Sequence, residues 1–135
     1  MRALIDVNVI IDAVEDREPF CELAYQIALL VERGYIEGCV TADSLTNLFY
    51  VVKRAGGLEK ARKVIEGTLK IFKVLDVTEM DCRLALLSGR ADFEDAVLME
   101  SARRNGVEYI VTRNEKDFSD SPVPVISPEE FLKIV

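Results

Sequence analysis

Short apolar runs ending in an acid or a hydroxyl residue alternate along this chain with longer segments of helical period. Residues 2–5 are a short, mostly apolar run (only Arg2 is charged) followed by Asp6, as befits a buried first strand. Over residues 19–33, Phe20, Leu23, Ala24, Ile27, Leu30 and Val31 recur at helical spacing, and Gly34 stands at the stop. Residues 38–41 give a second strand. Asp43 or Ser44 is then placed to cap a helix that carries Leu45, Leu48, Phe49 and Val52 and breaks at Gly56-Gly57. A helix over residues 58–70 and a strand over 71–77 follow. Thr78 caps a helix to Ser88, and Asp92 or Phe93 opens another that closes at Asn105-Gly106. Residues 109–112 form a fourth strand and 113–121 a polar loop. Residues 122–126 make a proline-flanked edge strand, and Ser127-Pro128 starts a terminal helix.

Strands alternating with helices predict one α/β domain over residues 1–135. Its architecture is a three-layer α/β/α sandwich around a mostly parallel sheet of about five strands. With 50% hydrophobic residues, the 135-residue chain has enough apolar surface for a core. No run approaches a membrane span, and Asp6 interrupts any leader-like start. Cys21, Cys39 and Cys82 are odd in number and lack CxxC spacing, which predicts reduced thiols and a cytoplasmic location.

The chain contains no histidine, which removes histidine-activated nucleophiles, histidine-ligated zinc and imidazole acid–base chemistry. Carboxylate chemistry, lysine chemistry or binding alone remain. The net charge of −7 runs against the basic footprint of most nucleic-acid binders, unless a divalent cation first neutralises a carboxylate cluster.

Sites in open α/β sheets lie beyond the carboxyl ends of the strands. Asp6 follows the first strand, Asp43 and Asn47 the second, and Asn114 and Asp117 the fourth. Asp92, Glu94 and Asp95 open the helix that leads into the fourth strand, and so share that edge. Acids in a first helical turn also suit the helix dipole, and Asp6 also suits an N-cap. Gathered together, such carboxylates would hold Mg²⁺ or Mn²⁺. Asp12 is expected to face solvent or cap the next segment, and Asp43 to cap a helix. Tyr50, Lys53 and Arg54 read as a helix face, Phe49, Tyr50 and Val51 as core or a dimer face, and Arg103-Arg104 as cations answering a helix dipole.

Four stretches resemble the PIN-domain family (PilT N-terminus-like ribonucleases, including VapC-type toxins). They are Leu4-Ile5-Asp6-Val7-Asn8-Val9-Ile10-Ile11-Asp12, Ser44-Leu45-Thr46-Asn47-Leu48-Phe49-Tyr50, Asp92-Phe93-Glu94-Asp95-Ala96, and the run from Ile110 to Phe118 that contains Thr112-Arg113-Asn114. The resemblance implies Mg²⁺- or Mn²⁺-dependent cleavage of single-stranded or structured RNA. It also implies a small antitoxin partner and a homodimer. It places the metal on Asp6 and Asp95, with Asp92, Glu94, Asn114 and Asp117 beside them and Asn8, Asn47 and Thr112 in support. Two positions where the family usually carries acids fall on Asn47 and Asn114. Their loss of charge makes a weakened PIN fold that only binds RNA or protein the alternative reading. A phosphate-accepting signalling domain lacks its paired acids and final lysine here. An aspartyl phosphatase lacks its DxD, since the sequence reads Asp6-Val7-Asn8.

Overall fold

The computed structural model describes residues 1–135. Five parallel strands, β1 (Arg2–Ile5), β2 (Glu37–Thr41), β3 (Lys73–Leu75), β4 (Tyr109–Val111) and β5 (Val125–Ile126), form one sheet in the order β3-β2-β1-β4-β5. Seven α-helices cover it: α1 (Val7–Val14), α2 (Cys21–Glu32), α3 (Ala42–Gly56), α4 (Leu58–Ile71), α5 (Glu79–Leu87), α6 (Phe93–Arg104) and α7 (Pro128–Ile134). The expected α/β/α sandwich is therefore the observed fold.

Strand alternation divides the core in two. Ala3 and Ile5 of β1, Val40 of β2 and Val111 of β4 pack under α1–α4 and α7. Leu4, Cys39 and Ile110 point to the opposite face, against Leu98, Met99 and Ala102 of α6. Being covered on both faces, the strands are apolar at their centres, as in Ala3–Ile5 and Tyr109–Val111. The chain moves from β1 through β2 to β3 on one side and then crosses to β4 on the other. The order thus reverses beside β1, and a crevice opens between the ends of β1 and β4. Ile5 is in register with Val111, so Asp6 and Thr112 emerge side by side.

Several local expectations change. The local pattern assigns no element to Val7, Val9, Ile10 and Ile11, whose β-branched side chains disfavour a helix, yet they lie in α1. Burial of Val7 and Val9–Ile11 outweighs that preference. Asp43 and Ser44 do not cap α3. Thr41 is its N-cap residue, and Asp43 and Ser44 sit two and three residues further in, within the first turn. β3 is shorter than the predicted 71–77 because α4 continues through Ile71. The loop after β4 contains a 3-10 helix, Glu115–Phe118, which buries Phe118. Asp12 neither faces solvent nor caps a helix. It is 1% exposed, paired with Arg113 through Nε (2.6 Å) and Nη2 (3.0 Å), and has Arg17 at 3.8 Å. Arg104 does more than answer a helix dipole, since its guanidinium joins Asp76 at 2.8 Å and the buried Asp81 at 2.9 Å.

Candidate active site

Four chain segments converge on a cleft of about 290 Å³ at the switch point. Asp6 and Asn8 come from the start of α1, Ser44, Asn47 and Val51 from α3, Asp92, Glu94 and Asp95 from the start of α6, and Asn114, Asp117 and Phe118 from the loop after β4. Asp6, Asn8, Asn47, Asp92, Glu94, Asp95, Asn114 and Asp117, all singled out in the sequence, line this one cleft, whereas Asp43 does not. Thr112 lies behind it, fully buried.

Asp6 is both the N-cap of α1 and a wall of the cleft. Its backbone N–H donates to the Val111 carbonyl at 2.9 Å, which continues the β1–β4 ladder one residue past the strand. Its carboxylate accepts from the Thr112 hydroxyl at 2.8 Å and from the Asn8 backbone N–H at the long distance of 3.5 Å. Thr112 is itself pinned by its N–H on the Ile126 carbonyl (3.0 Å) and accepts from the Asn114 N–H (3.1 Å). With the side chain only 7% exposed, burial raises the Asp6 pKa, against the opposing pull of Thr112, Asn8 and the Arg113 charge.

At the facing helix end, Asp92 caps α6 by accepting from the Asp95 N–H at 3.0 Å. This fixes Asp95 in the first turn, half-buried and lining the same cleft as Asp6. Burial and then the charges of Asp92, Asp6, Asp117 and Glu94 push its carboxyl up to about 7. Glu94 is also raised, by burial and by Asp43, Asp92 and Asp6, while a hydrogen bond from the Asn47 amide opposes the shift. Asn47 therefore spends an amide N–H on Glu94, and its amide oxygen remains an acceptor.

Carboxylates that raise one another's pKa in a small cleft are a poor arrangement for a bare protein and a good one for a divalent cation. All donors are oxygen, which suits Mg²⁺ or Mn²⁺. The side chains do not close into a cage of three or more protein ligands. Mg²⁺ commonly binds through one or two carboxylates and keeps several waters, so a cleft lined by Asp6, Asp92, Glu94, Asp95 and Asp117 fits such an ion.

Arg113 and Ser44 matter to this site beyond what the sequence assigns them. Arg113, between Thr112 and Asn114, has its guanidinium 3.9 Å from the Phe20 ring centroid and paired with Asp12, which ties the loop to α1 and α2. Its proximity to the Thr112-Asn114 positions was the available signal; its buried partner was not visible locally. Ser44 lines the cleft and shares a 2.7 Å hydrogen bond with the Thr41 hydroxyl. Asp43 stands beside Glu94 electrostatically, with its Oδ1 buried and unpartnered.

A family model described as "PIN domain" matches residues 2–116. No curated protein sequence matches the chain. Among solved structures, it resembles DNA-bound VapBC from Salmonella typhimurium at 20% identity and a TM-score of 0.71, covering 95% of this chain and 98% of that one. A toxin-antitoxin complex from Klebsiella pneumoniae is similar at 20% identity and a TM-score of 0.70, covering 93% and 97%. VapC20 of Mycobacterium tuberculosis, a sarcin-ricin loop cleaving toxin, is similar at 16% identity and a TM-score of 0.66, covering 80% and 86%. At such identities these likenesses speak to the fold. The family match extends over most of the sequence and over all four segments of the cleft except the last two residues of its loop, Asp117 and Phe118. The chain belongs to the PIN-domain family.

Proposed function

We propose that the protein is a Mg²⁺- or Mn²⁺-dependent endoribonuclease of the PIN type, acting as the toxin of a toxin–antitoxin pair. The observation that carries this reading is the meeting of Asp6, Asp92, Glu94, Asp95 and Asp117 in one cleft, where burial and then its neighbours' charges push the Asp95 carboxyl up to about 7. Family membership and the likeness to a toxin that cleaves the sarcin-ricin loop support it. Asp6 and Asp95 are the residues proposed to hold the ion, and Glu94, Asp92, Asp117 and Asn114 to complete its surroundings through water. The bound ion supplies charge neutralisation at a phosphodiester and acidifies a water. Thr112 orients Asp6 through their 2.8 Å hydrogen bond, and Asn47 restrains Glu94. Asn8, two residues after Asp6, also lines the cleft. In this scheme a water would attack phosphorus in line and give up a proton to solvent, and the leaving oxygen would take a proton from solvent and depart as an alcohol. A half-buried carboxyl of pKa about 7, Asp95, is suited to exchange protons with solvent around neutral pH when no ion is bound.

The likeness to a toxin-antitoxin complex supports a small antitoxin as partner. A homodimer is the family's implication, with Tyr50, 60% exposed, a candidate contact residue. No helix is long and apolar enough to cross a membrane.

Two amides, Asn47 and Asn114, line the cleft where further acids would bind metal more tightly, and this favours a second reading as a non-cleaving RNA- or protein-binding module. Calorimetric titration with Mn²⁺ and cleavage of single-stranded RNA on the same samples separate the two. Micromolar-to-millimolar binding with cleavage, both abolished in Asp6→Asn/Asp95→Asn, is the expected result. Cleavage undiminished in that double variant refutes the assignment, and RNA binding of unchanged affinity without metal or cleavage establishes the module.

A further inference from the structure

A second cleft, about 720 Å³ and almost wholly polar, adjoins the acidic one and shares Asp92 and Asp117 with it. Its walls are the α5–α6 connection, residues 88–92, and the end of the loop after β4, residues 116–120. Arg90 and Lys116 line it, whereas no cation lines the acidic cleft. Most other arginines (Arg2, Arg17, Arg83, Arg103, Arg104 and Arg113) are held in ion pairs. Arg90 and Lys116 are in none. The Arg90 side chain bridges the walls by donating to the Asp120 carbonyl, and its Nε–H is shut from solvent without a partner. A guanidinium has five donors, and an unsatisfied one is costly to leave buried.

We propose that this cleft docks a backbone phosphate of single-stranded nucleic acid next to the scissile one, with Arg90 and Lys116 as its cations. The inference rests on the nuclease reading above and names how its substrate is held. A chain of net charge −7 repels a polyanion, and the shared acids Asp92 and Asp117 add to that repulsion at the cleft's inner end. Two unpaired cations beyond those acids give a strand its electrostatic foothold, with Ser88 and Ser119 as neutral hydrogen-bonding walls. Asp120, a third acid lining the cleft, contributes its carbonyl to Arg90 and is exposed to solvent. Phosphate contacts fix register without reading bases.

The test is fluorescence anisotropy of a short labelled single-stranded RNA with Ca²⁺ present, at several salt concentrations, with Mn²⁺-dependent cleavage measured in parallel. Arg90→Gln and Lys116→Gln are each expected to weaken binding about five-fold, the worth of one contact charge pair in water. Each should lower the slope of log affinity against log salt by about 0.7. Arg90→Lys, which keeps the charge, should retain most of the affinity. Lys70→Gln, at the opposite edge of the sheet where α4 runs into β3, should match wild type. Lys116 is exposed and makes no side-chain hydrogen bond, so its variant keeps the test valid if Arg90→Gln fails to fold. If the wild type binds and cleaves RNA but both Gln variants behave like Lys70→Gln, the subsite is refuted and the nuclease reading stands. If the wild type neither binds nor cleaves, both fall together.

Discussion

Replacing Arg113 by methionine isolates the buried ion pair behind the candidate site. Asp12 is 1% exposed and receives two hydrogen bonds from Arg113, of 2.6 and 3.0 Å. Removing the guanidinium leaves a buried carboxylate with only Arg17, 3.8 Å away and 42% exposed, to answer it. Breaking a buried pair by deleting one partner costs about 3–5 kcal/mol. The Arg113 side chain keeps 25% exposure and Arg17 can swing closer, so the low end, about 3 kcal/mol, is the expected loss. At about 2.1 cal/mol/K per residue, unfolding this 135-residue chain carries about 0.28 kcal/mol/K, and the loss becomes a fall in Tm of about 10 °C. Asp12→Asn should cost less, about 1–2 kcal/mol, because the freed arginine reaches water. The double variant should fall short of the sum by at least about 1 kcal/mol. Urea and thermal melts of the four proteins complete the cycle. A loss below about 1 kcal/mol in Arg113→Met, or additivity within error, refutes the claim that the pair is desolvated and coupled.

Three further outcomes concern the carboxylates. A folded-state pKa of about 7 for Asp95, against 3.8 when unfolded, means the folded chain binds the extra proton between those values. Stability of the metal-free protein should therefore fall as pH rises from about 4 to about 7. Asp95→Asn should flatten that slope and gain about 1–2 kcal/mol at neutral pH after discounting for solvent screening, as read from Tm against pH; an unchanged slope contradicts the crowding of charges. Mn²⁺ at about a hundredfold its dissociation constant should raise the wild-type Tm by about 10 °C, from about 2.7 kcal/mol of linkage, and leave Asp6→Asn unmoved. Asn47→Glu removes the amide that steadies Glu94 and adds a like charge, so it should destabilise the metal-free protein by about 1 kcal/mol while tightening Mn²⁺ several-fold in calorimetry; equal affinity would place residue 47 outside the ion's reach.

The order of elements, the parallel sheet and the edge at which a site would form were legible from the sequence because each depends on local periodicity and on right-handed crossover geometry. Asp6 and Asp95 were legible for the same reason: their positions relative to strand and helix ends fix the side of the sheet they occupy. Tertiary structure decided what local pattern cannot carry. The register Ile5 with Val111 set Thr112 against Asp6 across 106 residues of chain. Packing on the sheet turned the β-branched run of α1 into a helix, and in doing so buried Asp12 where Arg113 meets it. A carboxylate's neighbours in space, rather than in sequence, determine whether it caps, pairs or waits for a cation, because its energy depends on burial and on charges within a few ångströms.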